Sequence, residues 1–245
     1  MHIVQIGCHV GNDSVFSLIE HKEDQIKKAL IIDALPSSVD ICKNFYKKKL
    51  KNETFEKLTF LKKAIVSRGE IKEVDFFVTR NEHDDDNQIG YTAFSSTNIN
   101  HLRAHGVQNI KKISVTSTTL PALFNRHSMT RIDRLFLDAE GLDAEILLSL
   151  DFKKFNIPFI CYESSHTDGA FQRGANTYKL FDKFKENGYK IYTFLHYAGN
   201  YGYTQDQYDW NCWALKDGVE EYNDMTEYSG HKEKLELGHS KIVEI

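Results

Sequence analysis

Short apolar runs alternate along the chain with longer segments in which apolar residues recur at helical spacing. Several of the runs stop at Gly, Asp or Glu, as expected for buried strands that end at the edge of a sheet. The predicted strands cover residues 3–6, 29–32, 58–66, 74–78, 113–115, 134–137, 159–162, 189–194 and 210–215. Helices are predicted to begin near residues 13, 36, 120, 142 and 178. Because strands and helices alternate, the pattern predicts an α/β domain with a parallel sheet.

The segment from residue 58 to residue 78 departs from this alternation. Residues 67–70 read Ser-Arg-Gly-Glu and predict a turn between two strand-like runs, so 58–66 and 74–78 are compatible with a hairpin. The chain shows no internal repeat and no linker, and residues 1–219 are therefore predicted to be a single domain. Residues 220–245 are polar and are predicted to form a C-terminal tail that is either loose or packed on the domain.

Composition narrows the class of protein. The chain has 245 residues, of which 41% are hydrophobic and 27% charged, as in ordinary globular domains. The formal net charge of −4 disfavours a nucleic-acid partner. No apolar run approaches the roughly 18 residues of a membrane span, and the first residues do not resemble a signal peptide. Four scattered cysteines without a CxxC pair indicate reduced thiols, so we expect a cytoplasmic protein.

A glycine-bearing turn, Gly7-Cys8-His9-Val10-Gly11, follows the first predicted strand and precedes the first helix. Glycine lets the backbone turn tightly and approach a ligand closely, and the N–H groups at the start of the helix attract negative charge. The turn is therefore compatible with a nucleotide-like ligand. A tight strand-to-helix connection without a ligand is the alternative.

Asp33 ends the second predicted strand, at the distance from the glycine turn where Rossmann-type sites hold a ribose. A carboxylate accepts hydrogen bonds from both ribose hydroxyls, although a helix-capping or solvent-facing acid is the alternative. The turn lacks the middle glycine of the GxGxxG pattern, which disfavours a dinucleotide. Together the turn and Asp33 favour a cofactor that carries ribosyl-adenine.

Several blocks of the sequence resemble the FkbM-type methyltransferases, from Ile3 to Leu215. The similar blocks are Gln5 to Gly11, Ile31 to Pro36, Lys63 to Glu70, Asp138 to Leu147, Phe159 to Glu163, and Gly188-Tyr189. The most specific of them reads Asp-Ala-Glu-Gly-Leu-Asp-Ala-Glu-Ile-Leu and is similar to the family's D-V-E-G-x-E-x-x-V-L. Gln5 stands where the family usually has an acid, and His9 stands where it usually has Asn.

The resemblance implies a class I, Rossmann-like methyltransferase fold with a mostly parallel seven-stranded sheet and helices on both faces. It implies S-adenosylmethionine as the cofactor and a hydroxyl of a small molecule or sugar as the methyl acceptor. The residues that it implies for cofactor binding are Gln5, Gly7, Cys8, His9, Gly11, Asn12, Asp33, Ala34 and Ala64. Of these, Asp33 would hold the ribose and Ala64 would lie at the adenine edge.

Acidic residues follow two later strands at the edge where open α/β sheets bind ligands. Asp138 is our first choice for a base or acceptor-orienting group and Glu140 is the second, while His166 titrates near neutral pH and is a third. Alternatively, Asp138 caps the following helix and Glu140 bonds to loop backbone. A Mg²⁺ ion on Asp138 and Glu163 is a less favoured reading, since oxygen ligands suit that ion.

Other classes of function stay open at this point. The chain is compatible with a cofactor-binding module that has lost catalysis and acts in assembly, or with a methyltransferase for protein or RNA. Neither membrane association nor a basic stripe for RNA is indicated. A homo-oligomer is compatible with the sequence.

Overall fold

The computed structural model describes residues 1–69, 73–79, 95–164, 173–198, 207–216 and 240–245. Its strands are β1 (His2–Ile6), β2 (Lys28–Asp33), β3 (Leu58–Lys62), β4 (Ala64–Ile65), β5 (Glu73–Thr79), β6 (Ser95–Ser96), β7 (Ile110–Thr118), β8 (Arg134–Leu137), β9 (Phe159–Glu163), β10 (Tyr189–His196), β11 (Gln207–Lys216) and β12 (Ser240–Glu244). Its α-helices are α1 (Ser14–His21), α2 (Pro36–Lys49), α3 (Asn52–Phe55), α4 (Ile99–Ala104), α5 (Leu120–Arg126), α6 (Asp143–Leu148) and α7 (Ala175–Glu186). The alternation of strands and helices confirms the predicted α/β class.

The larger sheet has eight strands within the described ranges, in the order β12-β10-β11-β9-β8-β1-β2-β3. Strands β3, β2, β1, β8 and β9 are parallel neighbours. Strand β11 runs antiparallel between β9 and β10, and β12 runs antiparallel to β10. In the part of the chain that the structure describes, the sheet is therefore mixed with eight strands, where seven mostly parallel strands were expected.

Helices cover both faces of this sheet because alternate strand residues point to opposite sides. Val4 and Ile6 face one core, which includes the buried residues of α5, α6 and α7. Ile3 and Ile31 face a second core with the buried residues of α1 and α2. Burial on both faces explains why these strands read as continuous apolar runs in the sequence.

The first helices begin where the sequence indicates. The Asp13 carboxylate accepts hydrogen bonds from the backbone N–H groups of Val15 and Phe16, both at 2.9 Å, and so caps α1. Pro36 occupies the first turn of α2, where its missing N–H costs nothing. Helices α1 and α2 therefore begin shortly after the carboxyl ends of β1 and β2.

The predicted hairpin of residues 58–66 with 74–78 is wrong. The first run is divided between two sheets, because β3 pairs with β2 while β4 pairs in parallel with β7. Strand β5 pairs antiparallel with β7 and β6. The four-stranded second sheet has the order β4-β7-β5-β6. The chain changes sheets at Lys63, whose N–H donates to the Asp33 carbonyl at 2.8 Å.

The last described residues form a strand on the edge of the larger sheet. In β12, Ser240 hydrogen-bonds through Oγ to Nδ1 of buried His196 at 2.6 Å. The other ring nitrogen of His196 lies 2.9 Å from a carboxylate oxygen of Asp209 in β11. One imidazole thus connects three neighbouring strands. The domain boundary at residue 219 stays a prediction.

The described helices include none that combines the length and the apolar character needed to cross a bilayer. All four cysteines are free thiols.

Gly7 joins the ends of three strands. It has φ +80°, and a Cβ built on it would lie 2.3 Å from the carbonyl oxygen of Asp138. Its N–H donates to the carbonyl of Ile32 at 2.9 Å. A side chain is therefore excluded here both by the backbone conformation and by the neighbouring strand end.

We predict that Gly7→Ala lowers the free energy of unfolding more than Gly188→Ala. Both positions have positive φ, which costs an L-residue about 1–2 kcal/mol. A Cβ on Gly188 meets nothing within 4 Å, whereas the clash at Gly7 adds about 1–3 kcal/mol. Urea denaturation of both variants measures the difference. Equal losses would contradict the close approach at Gly7.

Candidate functional site

A cleft of about 240 Å³ opens at the carboxyl ends of β1, β2 and β8. From β1 the chain order proceeds through β2 and β3 on one side, and through β8 and β9 on the other. Open α/β sheets bind ligands at this kind of switch point, because the loops on the two sides diverge and leave a crevice. The cleft is therefore the candidate site.

The glycine turn forms the part of the cleft beyond β1. The N–H groups of Gly7 and Cys8 both donate to the carbonyl of Ile32, at 2.9 and 3.2 Å. Gly11 closes the turn by donating to the carbonyl of Cys8 at 2.9 Å. His9 has φ +43°, a conformation that costs a non-glycine residue energy and is often found at functional sites.

Asp33 connects this turn to the start of α2. One carboxylate oxygen accepts the N–H of His9 at 3.0 Å, and the other accepts the N–H of Leu35 at 2.9 Å. Burial raises the pKa of Asp33 above its usual value, although these two N–H groups oppose the shift. The N–H of Ala34 also bonds to this carboxylate, so three backbone groups hold Asp33 while it holds the turn.

The residues predicted to bind the cofactor divide into two groups. Those that line the cleft are Gly7, His9, Asp33, Ala34 and Ala64. Those outside the cleft lining are Gln5, Cys8, Gly11 and Asn12. The Cys8 side chain is fully buried under the turn, and Gly11 packs against Cys42 and Tyr46 of α2. Contact of the second group with a cofactor stays a prediction.

Gln5 lies outside the cleft lining and contacts Asp13, the residue that caps α1 after the glycine turn. Its amide Nε2 donates to a carboxylate oxygen of Asp13 at 2.7 Å, and its Oε1 is buried without a hydrogen-bond partner among the described residues. Burial raises the pKa of Asp13. An acid at position 5, as the related family usually has, would face this carboxylate. A glutamine there avoids the repulsion and donates a hydrogen bond to Asp13.

Three carboxylates from two strand ends meet on the other side of the cleft. Asp138 follows β8, Glu163 ends β9, and Glu140 lies in the loop before α6, with one oxygen of each within 4.8 Å of the others. Behind them the fully buried Asp143 accepts the N–H groups of Ala139 at 3.1 Å and Glu163 at 3.4 Å. Asp143 therefore fixes the loop that carries the acids of the cleft.

The environment of Glu140 is strongly acidic. Its partial burial, together with the charges of Asp138, Glu163, Asp143 and Asp33, raises the pKa of Glu140 to about 10. Glu140 also has φ +50°, a second strained backbone at the same cleft. This region favours a positively charged group or a proton.

Among the described residues, neither Asp138 nor Glu140 makes the helix-capping or loop-backbone contact that was the alternative to a catalytic role. The N-cap of α6 is Leu142, and no side chain caps that helix, so Asp138 does not serve as its cap. The Glu140 carboxylate bonds to the His101 ring at 2.7 Å rather than to loop backbone. His166 lies outside the described residues, and its role stays a prediction.

The second sheet supplies a wall of the cleft that the sequence did not reveal. Phe76 of β5 and Ser95 of β6 line the cleft, as does Thr97 beside them. Phe76 packs in a small apolar cluster with Leu35 and Ala64. Lys63 also lines the cleft, at the point where the chain changes sheets. In the sequence, the only signal for Lys63 was its position in the block from Lys63 to Glu70 that resembles the family.

Open α/β sheets that combine a glycine turn, a second-strand acid and a crevice at the switch point commonly bind nucleotide cofactors there. The family profile of the methyltransferase FkbM domain matches residues 5–191. The chain belongs to this family of methyltransferases. No curated protein matches the chain significantly.

Solved methyltransferase structures are distantly similar to the chain. The methyltransferase domain of bacterial CtHen1-C has 11% identity and a TM-score of 0.43, with 89% of this chain and 90% of that one covered. Methyltransferase FkbM from Methylobacillus flagellatus KT has 11% identity and a TM-score of 0.46, with 87% and 43% covered. DszA carbon methyltransferase has 11% identity and a TM-score of 0.39, with 89% and 48% covered. The family match remains the basis of the assignment.

We predict that Gln5→Glu lowers the free energy of unfolding by about 1–3 kcal/mol at pH 7, because it places a second buried carboxylate against Asp13. A buried acid that faces another acid has a folded pKa above its unfolded value of about 4.3. The penalty is therefore full above the folded pKa and disappears as the pH falls below about 4. Denaturation of both proteins at pH 7 and pH 4 measures it. A loss independent of pH would exclude charge repulsion as the cause.

Proposed function

We propose that the chain is an S-adenosylmethionine-dependent O-methyltransferase that acts on a hydroxyl of a small molecule or sugar. The observation that carries this proposal is that one cleft contains both Gly7 and Asp33 on one side and Asp138 and Glu140 on the other. The first pair suits a ribosyl-adenine cofactor. The second pair suits an acceptor that must lose a proton.

The side chains that line the cleft match the chemical groups of S-adenosylmethionine, the proposed methyl donor. The apolar side chains of Leu35, Ala64 and Phe76 form one continuous surface that suits the flat adenine ring. The Asp33 carboxylate has about four lone-pair sites, and with three backbone N–H groups bonded to it, one site is left for a ribose hydroxyl. When bound, S-adenosylmethionine supplies a methyl group that is activated by a positively charged sulfur. The acidic side of the cleft suits this charge.

Methyl transfer to a hydroxyl forms a C–O bond, breaks the C–S bond and releases the hydroxyl proton. The chain must therefore hold the acceptor in line and take up that proton. Asp138 is exposed in the cleft and is our choice for the group that accepts it. Glu140 is half-buried at a raised pKa, and it suits the role of orienting the acceptor.

We predict that S-adenosylmethionine and S-adenosylhomocysteine bind in calorimetry while NAD does not. Asp33→Ala weakens this binding by about 1–3 kcal/mol, the scale of lost charge-assisted hydrogen bonds. Asp24→Ala is the matched control, because the Asp24 side chain is 98% exposed. Binding of NAD alone, or unchanged affinity in Asp33→Ala, would remove the cofactor assignment.

We predict that Asp138→Asn lowers kcat by about 10²–10⁴-fold, the usual contribution of a general base, while S-adenosylhomocysteine binding stays within error of the wild type. The measurement uses methyl-labelled S-adenosylmethionine with a panel of sugars and hydroxylated small molecules. Asp182→Asn, an exposed change on α7, is the control and keeps the wild-type rate.

Cofactor binding without labelled product from any acceptor would favour a binding module. Label in added RNA or protein would favour the corresponding macromolecular substrate.

A further inference from the structure

Two histidines of one helical turn face a carboxylate of the cleft. His101 lies in α4 and His105 follows one turn later, so both rings project from the same side. The ring centroids are 4.6 Å apart. Nε2 of His101 lies 2.7 Å from Oε2 of Glu140. One ligand atom from each of the three residues lies within 4.8 Å of the others.

The fold holds these three residues in place. The Ser96 hydroxyl donates to the carbonyl of Glu140 at 2.7 Å, and its Oγ accepts the N–H of Asn98 at 3.0 Å. Asn98 in turn caps α4 through the N–H of Asn100. One serine therefore ties the loop of Glu140 to the start of the helix that carries the histidines. The His101 side chain is buried, which fixes its ring.

A hydrogen bond between His101 and Glu140 alone would account for two of these residues. It does not by itself bring a ligand atom of a second imidazole, that of His105, within reach of the same carboxylate. A single divalent cation between the three groups can accept a donor atom from each of them. It also offsets the charge of Asp138 and Glu163, which form the second carboxylate cluster around Glu140.

The set of donor atoms selects the kind of ion. Two imidazole nitrogens and one carboxylate oxygen form a three-ligand set that catalytic zinc sites use, with further positions open for water or substrate. Mg²⁺ and Ca²⁺ prefer sites made of oxygen ligands alone. Imidazole ligation therefore favours a first-row transition ion over both.

We propose that His101, His105 and Glu140 form a binding site for a divalent transition-metal ion of the Zn²⁺ type, beside the methyl-acceptor side of the cleft. This site differs from the less favoured Mg²⁺ site on Asp138 and Glu163. Its catalytic use rests on the proposed function: His101, His105 and Glu140 would hold the ion, which would supply Lewis acidity that lowers the pKa of the acceptor hydroxyl, and Asp138 would accept the proton. Binding of the ion itself does not depend on that function.

The test is calorimetric titration of the chelator-treated protein with Zn²⁺, together with Co²⁺ absorption spectroscopy as a report on imidazole ligation. We expect one ion per chain in the wild type. His105→Ala and Glu140→Gln each weaken Zn²⁺ binding by about 100-fold or more, at least the effect of losing an outer-shell partner. Two variants are needed because one of them can fail to fold. His21→Ala, an exposed histidine at the end of α1, is the control and binds as the wild type.

Absence of Zn²⁺ binding in the wild type, or equal affinity in His105→Ala, Glu140→Gln and the wild type, would overturn the proposal. Titration of the same samples with S-adenosylhomocysteine separates the two claims. Loss of Zn²⁺ binding with retained S-adenosylhomocysteine binding is expected of His105→Ala, because His105 does not line the cleft. Zn²⁺ binding without S-adenosylhomocysteine binding would contradict the proposed function and leave the metal site standing.

Discussion

The close approach of three parallel strand ends at Gly7 is the constraint on which the rest of the site depends. The N–H of Gly7 bonds to the end of β2, and its α-carbon lies against the carbonyl of Asp138 after β8. This contact brings the second-strand acid and the carboxylates of the later strands to the rim of one crevice. Any side chain at this position separates them, because the backbone at the strand ends cannot yield as a flexible side chain can.

The carboxylates at the cleft are the second feature that determines the properties of the site. Asp33, Asp138 and Glu140 line the cleft, and Glu163 and the buried Asp143 lie next to the last two. Burial and mutual repulsion raise the pKa of Glu140 and Asp143, and burial raises that of Asp33. Such an arrangement costs folding energy unless a ligand offsets it, and enzyme sites are where proteins accept that cost. A sulfonium on one side and a divalent ion on the other are both cations. Each would stabilise the same set of carboxylates.

Local patterns in the sequence predict much of this site, since the alternation of strands and helices alone places Gly7, Asp33 and Asp138 at one sheet edge. The second sheet is not predictable in the same way, because β4 is only two residues long and pairs with β7, which is distant in sequence. His101 escapes prediction because its helix is short and its partner, Glu140, is also distant in sequence. The glutamine at position 5 is explained by Asp13, whose carboxylate contacts the Gln5 amide in the folded chain.

The most direct test of the proposed site is a crystal structure of the protein soaked in S-adenosylhomocysteine. We expect a ribose hydroxyl to lie on the Asp33 carboxylate, the adenine to lie against Leu35 and Phe76, and the sulfur to face the carboxylates of Asp138 and Glu140. An empty cleft, or a ligand bound elsewhere while Asp33 contacts only backbone N–H groups, would contradict the proposal.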